Sequence, residues 1–440
     1  MTTIIVFIII LGFLIFVHEL GHFLVARRNG IKADEFGFGF PPRVVGIQFL
    51  QGEEKKKVSQ VQSIGIEKTD IKIGDEEIIS ETVTKKIHEV ERKVPVKKWR
   101  IIWGNKDGDN ENEKRDLKEA YEKDFSGGTV YSLNWLPIGG FVKIKGENGD
   151  EKDEGDSFAS KSAWTRVKVL AAGVIMNFFF AWILFSIGFM LGTPQEVTDP
   201  KAPGAYILID KIEDNSPASA MGIRVGDVID KVQIGRDGKK VQLNTTEDVQ
   251  NFINSYAGTD LTVAVSRASE HLKLSGTPKI SSEDGRGRLG IGLVQVAKIS
   301  YNPFAALWKG LVELGAVLLM MLEVIKMLIA GNRSGMEVTG VVGIAVYTGQ
   351  IIPLGMAYLM RFAAILSVNL GVINALPIPA LDGGRILFIA IEKIKGSPVS
   401  QKVEQVFHTV GFALLMLLMV FITYRDFLKF DIVDKIKDIF

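Results

Sequence analysis

Apolar residues fall along this chain in four long runs separated by polar stretches. The runs are Thr3 to Ala26, Val167 to Leu191, Leu354 to Leu376 and Val406 to Tyr424. Each approaches or exceeds the roughly 20 residues that a helix needs to cross a bilayer. A fifth apolar stretch, Phe304 to Ala330, contains Lys309, Glu313, Glu323 and Lys326. Those charges make it an amphipathic interfacial helix rather than another span.

The polar stretches have their own patterns. Gly52 to Asp124 is rich in Lys and Glu, and its segments Ile64 to Ile73 and Ile78 to Val90 alternate as strands do. This stretch reads as a small inserted subdomain or a solvated excursion, with no chemical motif. Asn148 to Gly155 reads as an acidic loop. Beyond residue 200 the pattern changes. Tyr206 to Ile212 alternates as a strand, Pro217 to Val228 gives a short helix and a glycine turn, Thr246 to Tyr256 is an amphipathic helix, and Asp260 to Ser266 is another strand. This order, with Gly222-Ile223-Arg224-Val225-Gly226-Asp227, resembles a PDZ domain. The resemblance implies binding of extended peptides by strand addition, with Gly204, Ala205, Tyr206 and Ile207 of the first strand as the candidate contacts.

The predicted fold is a polytopic α-helical membrane protein of about four spans, with an inserted α+β PDZ-like domain and membrane-associated β elements. Its expected parts are the first span and a strand segment (1–51), the charged insertion (52–124), and a membrane-associated hairpin with the second span (125–199). The PDZ-like domain (200–298), the interfacial helix region (299–350) and the last two spans (351–440) follow.

Composition narrows the chemistry. The chain has 440 residues, is 47% apolar and carries a net charge of +1, which gives no argument for nucleic acid as a partner. It has no cysteine, so disulfides, thiolate metal sites and thiol catalysis are excluded. Any metal must be held by Asp, Glu or the five histidines. Met1-Thr2-Thr3 has no basic residue and no small-residue cleavage site follows, so the first run reads as an anchor rather than a signal peptide. Arg27, Arg28, Lys32, Lys161, Arg166 and Lys168 border the first long connection. By the positive-inside tendency they place it in the cytoplasm and residues 192–300 outside.

The first apolar run contains one cluster of ionisable groups: His18-Glu19-Leu20-Gly21-His22, an HExxH pattern. Ionisable groups in a spanning helix are costly and point to function. His18 and His22 stand one helical turn apart on one face, where two neutral imidazoles bind one Zn²⁺ and Glu19 serves as base. Catalytic zinc takes a third protein ligand. The best candidate is Asp382, in Asn374-Ala375-Leu376-Pro377-Ile378-Pro379-Ala380-Leu381-Asp382-Gly383-Gly384, where prolines and glycines break the helix at the end of the third run. Asn369 and Asn374 are candidates for holding substrate. His88 and His271 read as surface residues, and His408 as a packed or interfacial one.

These residues resemble the site-2 proteases, intramembrane zinc metalloproteases, and most the bacterial branch typified by the regulator of sigma-E protease. The resemblance rests on His18 to His22, on Phe36 to Pro42, on Asn134 to Lys143 (with Phe141 where Tyr is usual), and on Ser367-Val368-Asn369-Leu370 through Asp382-Gly383-Gly384. It implies Zn²⁺ on His18, His22 and Asp382, Glu19 as general base and acid, and Asn374, with Asn369, at the substrate. A strand through Gly140, Phe141 and Val142 would present the unwound substrate. It implies single-span membrane proteins as substrates, of the anti-sigma-factor or remnant signal-peptide kind. It also implies a bacterial inner-membrane location amid lipid, the PDZ-like domain outside and the active site toward the cytoplasm. Three features depart from the family: the long insertion, a single PDZ-like unit, and Arg385 where some relatives have His. The rival reading is a non-catalytic PDZ-bearing receptor for peptides. A zinc transporter would need polar residues spread through several spans.

Overall fold

Helix α1 (Thr2–Arg28) forms because its run of large apolar residues has no break and ends on Arg27 and Arg28, whose charges suit a helix C-terminus. The computed structural model describes residues 2–73, 76–104, 125–149, 151–199, 202–213, 215–234, 240–241, 244–267, 270–281, 285–331, 339–397 and 399–430, with backbone only for 50–98, 125–127 and 240–241. The chain divides into two units, Met1–Asn29 with Lys161–Phe440, and Gly30–Ser160.

The smaller unit is a sheet of β1 (Ala33–Ile73), β2 (Glu76–Trp103) and β3 (Phe125–Ile144), with β1 central. The alternating segments of the insertion are strands, and β1 runs across the expected boundary at residue 51 without a break. The remainder of the insertion, 105–124, lies outside the described residues. Both β1 and β3 double back. Phe36 is opposite Tyr131 and also Val142, while Ile47 is opposite Tyr131 and Ile101. Segment 140–144 therefore pairs with 33–38 on one side only, and forms an edge of the sheet among the described residues. Inside the unit, Arg43 Nε donates to Glu35 Oε1 at 2.9 Å and Asn134 Nδ2 to the Gly39 carbonyl at 2.8 Å. Lys145 bonds Glu154 and Asp156, and holds the Asp156 carboxyl below its ordinary range.

The larger unit holds the remaining apolar helices. They are α2 (Ala163–Leu191), α5 (Pro303–Ile329), α6 (Val341–Ile351), α7 (Met356–Ala375), α8 (Asp382–Lys395) and α9 (Gln401–Lys429). Among the described residues, α1, α2, α7 and α9 are the four long and apolar enough to cross a membrane. They coincide with the four runs. Helix α5 buries Ala306, Gly310, Leu314 and Val317, one face at helical spacing. Leu314 and Val317 share a core with Ala181, Leu184 and Phe185 of α2 and Ala363, Ala364 and Val368 of α7. One face of α5 thus packs on other helices, while Phe304, Trp308, Leu311 and Leu319 stay exposed.

Two residues after α2 the chain enters a second sheet, of order β4-β12-β5-β6-β8-β9. Its members are β4 (Thr193–Glu196), β5 (Ala205–Ile212), β6 (Val228–Ile234), β8 (Leu261–Arg267), β9 (Glu270–Gly276) and β12 (Ile291–Ile299), with the short β7 (Lys240–Val241) paired to β6; β10 (Lys279–Ile280) and β11 (Gly287–Arg288) form a separate pair. The short helix α3 (Pro217–Met221) and α4 (Thr246–Ser255) are the two helices of this domain, and Thr245 and Asp248 cap α4 reciprocally. Val249 and Ile253 of α4 pack on Ile207, Ile209, Val232, Leu261, Val263 and Val265. Burial of each such side chain contributes about 1.5–3 kcal/mol. These strands and helices follow the order read from sequence.

Strand β5 pairs with β12 along its length and with β6 at Ile207 and Leu208. Of the expected peptide contacts, Ile207 is paired on both sides, Ala205 and Tyr206 pair on the β12 side, and Gly204 precedes the strand. Sequence alone could not rank the strands, because a strand's neighbours are set by the whole sheet.

Candidate metal centre

His18 and His22 are buried on α1 where it meets α2. The approach is close because Gly21 faces the Ala172 carbonyl, where a Cβ would collide with backbone. Gly173 does the same beneath the rings: a Cβ there would lie 2.5 Å from His22 Nε2 and 2.7 Å from His18 Cε1. The rings stand edge to face, centroids 4.8 Å apart, with their Nε2 atoms 3.1 Å apart.

Asp382 reaches the same point from the far end of the chain. It opens α8, after a turn in which Ala380 adopts φ 69°. That left-handed residue is held by its own N–H, which donates to His408 Nδ1 at 2.8 Å. Gly383 and Gly384 lie against the carbonyls of Leu376 and Ile378, leaving no room for side chains. Asp382 Oδ2 sits 3.0 Å from His18 Nε2 and 3.3 Å from His22 Nε2. The three residues form a cluster able to hold one metal ion.

The donor set fits zinc. Two imidazoles and a carboxylate in tetrahedral arrangement, with bonds of about 2.0–2.2 Å, have donors roughly 3.3–3.5 Å apart. The 3.0–3.3 Å spacings seen here are close to that. Asp382 Oδ2 is buried and accepts no hydrogen bond from the described residues. Its nearest polar neighbours are the two imidazole Nε2 atoms, and a buried carboxylate in that company suits a bound cation. His22 Nδ1 donates to the Val169 carbonyl at 2.8 Å, leaving its Nε2 lone pair for a metal.

Glu19 follows His18 on α1 and is half-buried. Asn369 and Asn374 both lie on α7, about 140° apart around the helix, so they do not share a face. The amide oxygen of Asn369 is buried and lacks a hydrogen bond within the described residues. Gly140, Phe141 and Val142 lie on the free edge of the smaller unit. Sequence reading missed two supporting groups: the Val169 carbonyl and Asn177, whose amide nitrogen is 3.0 Å from His18 Nδ1; His408, read as a packed or interfacial residue, is packed against Phe388 and Phe407 and also accepts the Ala380 N–H. Asn177 is a polar residue within an apolar run, which was the available signal. A backbone carbonyl carries none.

Two buried imidazoles and a carboxylate on one point, with Glu19 next to His18 in the sequence, have the donor set of a metal-dependent hydrolase. The sequence profile of peptidase family M50 matches residues 6–65 and 118–418. The zinc metalloprotease RasP of Geobacillus kaustophilus (strain HTA426) is 31% identical over 97% of this chain and 98% of its own length. The regulator of sigma-W protease RasP of Bacillus subtilis (strain 168) is 31% identical over 96% of this chain and 98% of its own. Among solved structures, the PDZ domain of the SdrC-like protein of Listeria monocytogenes covers 22% of this chain and 93% of that one, at 16% identity and a TM-score of 0.18. The chain belongs to peptidase family M50. It is a zinc metalloendopeptidase of the site-2 protease type.

Gly173 offers a direct check. A methyl group there would sit about 1 Å inside normal van der Waals contact with both ligand rings. Gly173→Ala purified in detergent should therefore carry as little zinc as His22→Ala, by elemental analysis. Wild-type zinc content in Gly173→Ala would mean that the rings do not bind metal where the structure puts them.

Proposed function

We propose that this protein cuts single-span membrane proteins in or near their membrane segment, with Zn²⁺ held by His18, His22 and Asp382. The observation that carries the reading is the convergence of those three groups on one buried point amid apolar helices. Bound zinc supplies Lewis acidity toward a peptide carbonyl and toward water. Glu19, one position along α1 from His18, takes the proton of the attacking water and passes it to the leaving nitrogen. Asn369, with its unpartnered amide oxygen, and Asn374 hold the substrate backbone.

A substrate helix must first open, because its own hydrogen bonds occupy its backbone groups. Edge 140–144 suits this step. An extended segment added there would recover its lost hydrogen bonds along Gly140, Phe141 and Val142. Trp99, Ile101 and Trp103 alternate on β2 and stand exposed, an apolar row whose two tryptophans suit the lipid interface. Substrates of the anti-sigma-factor or remnant signal-peptide kind fit the reading, and a relative's name, regulator of sigma-W protease, supports the first.

Glu19→Gln should keep its zinc and lose roughly 10²–10⁴-fold in cleavage of a model single-span substrate. Cleavage at the wild-type rate would remove Glu19 from the mechanism. Loss of zinc together with activity would make Glu19 a structural residue instead.

The PDZ-like domain binds peptides, in this reading, at a groove other than the one first expected. Strand β12 has no strand partner along one side of 291–294 among the described residues. A cavity of about 330 Å³ lies there, lined by Gln250 and Asn254 of α4, Arg286, Arg288 and Leu289, and Glu213. Gln250 is exposed, so Gln250→Trp would fill the groove without disturbing the core. It should weaken binding of a fluorescent extended apolar peptide, read by anisotropy, by about tenfold, equivalent to roughly 1.4 kcal/mol. Equal binding by both proteins would exclude this groove. The receptor reading requires this binding with no cleavage at all, so the Glu19→Gln comparison separates the two.

Lysine and arginine placement supports a cytoplasmic Gly30–Ser160 unit and an outer PDZ-like domain in a bacterial membrane. The chain has no cysteine of its own, so single cysteines report cleanly. On intact cells an impermeant maleimide should label exposed Asp260→Cys, and should label Asp153→Cys only after permeabilisation. The reverse pattern would invert the topology.

A further inference from the structure

One face of α2 backs both histidines. Val169, Gly173 and Asn177 are spaced by four residues, matching the spacing of His18 and His22 on α1. Val169 receives the Nδ1 proton of His22, Gly173 leaves room for both rings, and Asn177 faces His18 Nδ1. Asn177 is fully buried, with 0% exposure. A bare amide in an apolar helix interior costs free energy unless its polar atoms are used.

The amide nitrogen of Asn177 is placed 3.0 Å from His18 Nδ1, while its oxygen is buried with no hydrogen bond among the described residues. Two hydrogen-bond arrangements share that geometry. If the NH₂ faces the ring, His18 Nδ1 accepts and the ring proton sits on Nε2, aimed at the point where Nε2 must offer a lone pair. If the amide is turned by 180°, its oxygen accepts from His18 Nδ1–H and Nε2 is free. Oxygen and nitrogen of an amide are assigned by hydrogen-bond logic rather than by shape. A neutral imidazole bound through Nε2 carries its one proton on Nδ1, so the group facing Nδ1 must be an acceptor.

We infer that Asn177 is a positioning residue, whose side-chain oxygen accepts the His18 Nδ1 proton and so fixes His18 in the metal-binding tautomer. It is the counterpart of the Val169 carbonyl at His22. The two helices thus share the work: α1 carries the ligands and α2 takes both of their outer protons. Asn177 is itself fixed from the other side. Ser367 Oγ of α7 donates to the Asn177 backbone carbonyl at 2.8 Å, and a Cβ at Gly371 would lie 3.3 Å from Asn177 Cβ. The inference rests on the metal-centre reading above.

Zinc affinity of the full chain in detergent, by competition with a chromophoric chelator, tests it. Asn177→Leu removes the acceptor at similar volume and should weaken binding 10- to 100-fold. Asn177→Asp keeps an oxygen acceptor and should retain wild-type affinity. In ¹⁵N-histidine-labelled, zinc-loaded wild type, NMR should show the His18 proton on Nδ1. Wild-type affinity in Asn177→Leu, equal weakening in both variants, or a His18 proton on Nε2 would each overturn the inference. Wild type that binds no zinc would instead overturn the metal centre, and the inference with it.

Discussion

Two imidazole rings and a carboxylate meet at one point from segments some 360 positions apart, and the helix packing is organised around that meeting. Ligand atoms 3.0–3.3 Å apart permit little error. The helices that bring them there approach as closely as backbone allows. Gly21 lies over the Ala172 carbonyl, Gly173 lies under the rings, and Gly371 lies against Asn177 and Phe178. Glycine is costly within a helix. Here the cost is offset by contacts that no larger residue permits, and the buried Asp382 carboxylate lies against two imidazoles in a cluster able to hold a metal ion.

The same helix ties the centre to the PDZ-like domain. Helix α2 carries Val169, Gly173 and Asn177, ends at Leu191, and continues after Gly192 into β4, an edge strand of the PDZ-like sheet. The neighbouring β12 leads out again toward α5. Tyr301 N donates to the Phe189 carbonyl, and its hydroxyl to Gln195 Oε1 at 2.9 Å, locking the exit beside the entry. Tyr206 of β5 hydrogen-bonds Tyr358, near the start of the helix that leads to Asp382. The domain is thus joined by strand pairing and side chains to both helices that flank the metal ligands.

Sequence made parts of this legible for identifiable reasons. The four apolar runs could be read because hydropathy depends on local composition alone, and His18, Glu19 and His22 because ionisable groups stand out in such a run. Asp382 was readable from the helix-breaking prolines and glycines before it. What was not legible depended on partners distant in sequence. The position of β5 inside its sheet followed from pairing with β12, some 85 residues away. The packing of α5 followed from its partners: Ala306, Gly310, Leu314 and Val317 are buried, and Glu313 on the same side pairs with Arg361 of α7 at 2.6 Å. The doubling of β1 and β3 hinges on Gly39 and Gly139, both at positive φ, in a stretch otherwise readable as continuous strand.

The fourth apolar run shows how a helix that looks like plain membrane filler acquires a specific task. Helix α9 buries only Gly411 and Asp426, and exposes Leu414, Leu417 and Phe421 as a lipid-facing surface should. Its polar attachments to the rest of the unit lie toward its two ends. Asp426 Oδ2 accepts the N–H groups of Gly340 and Gly343 at 2.9 Å each, capping α6, which has no side-chain cap of its own. At the other end, Gly411 admits Pro379, and His408 Nδ1 accepts the Ala380 N–H. Ala380 is left-handed without being glycine, a conformation costing on the order of 1–2 kcal/mol. That strain persists because the chain must reverse within a few residues to start α8 at Asp382. His408 and Gly411 hold the reversal in place, so the fourth apolar helix bears on the candidate metal centre through the loop that carries Asp382.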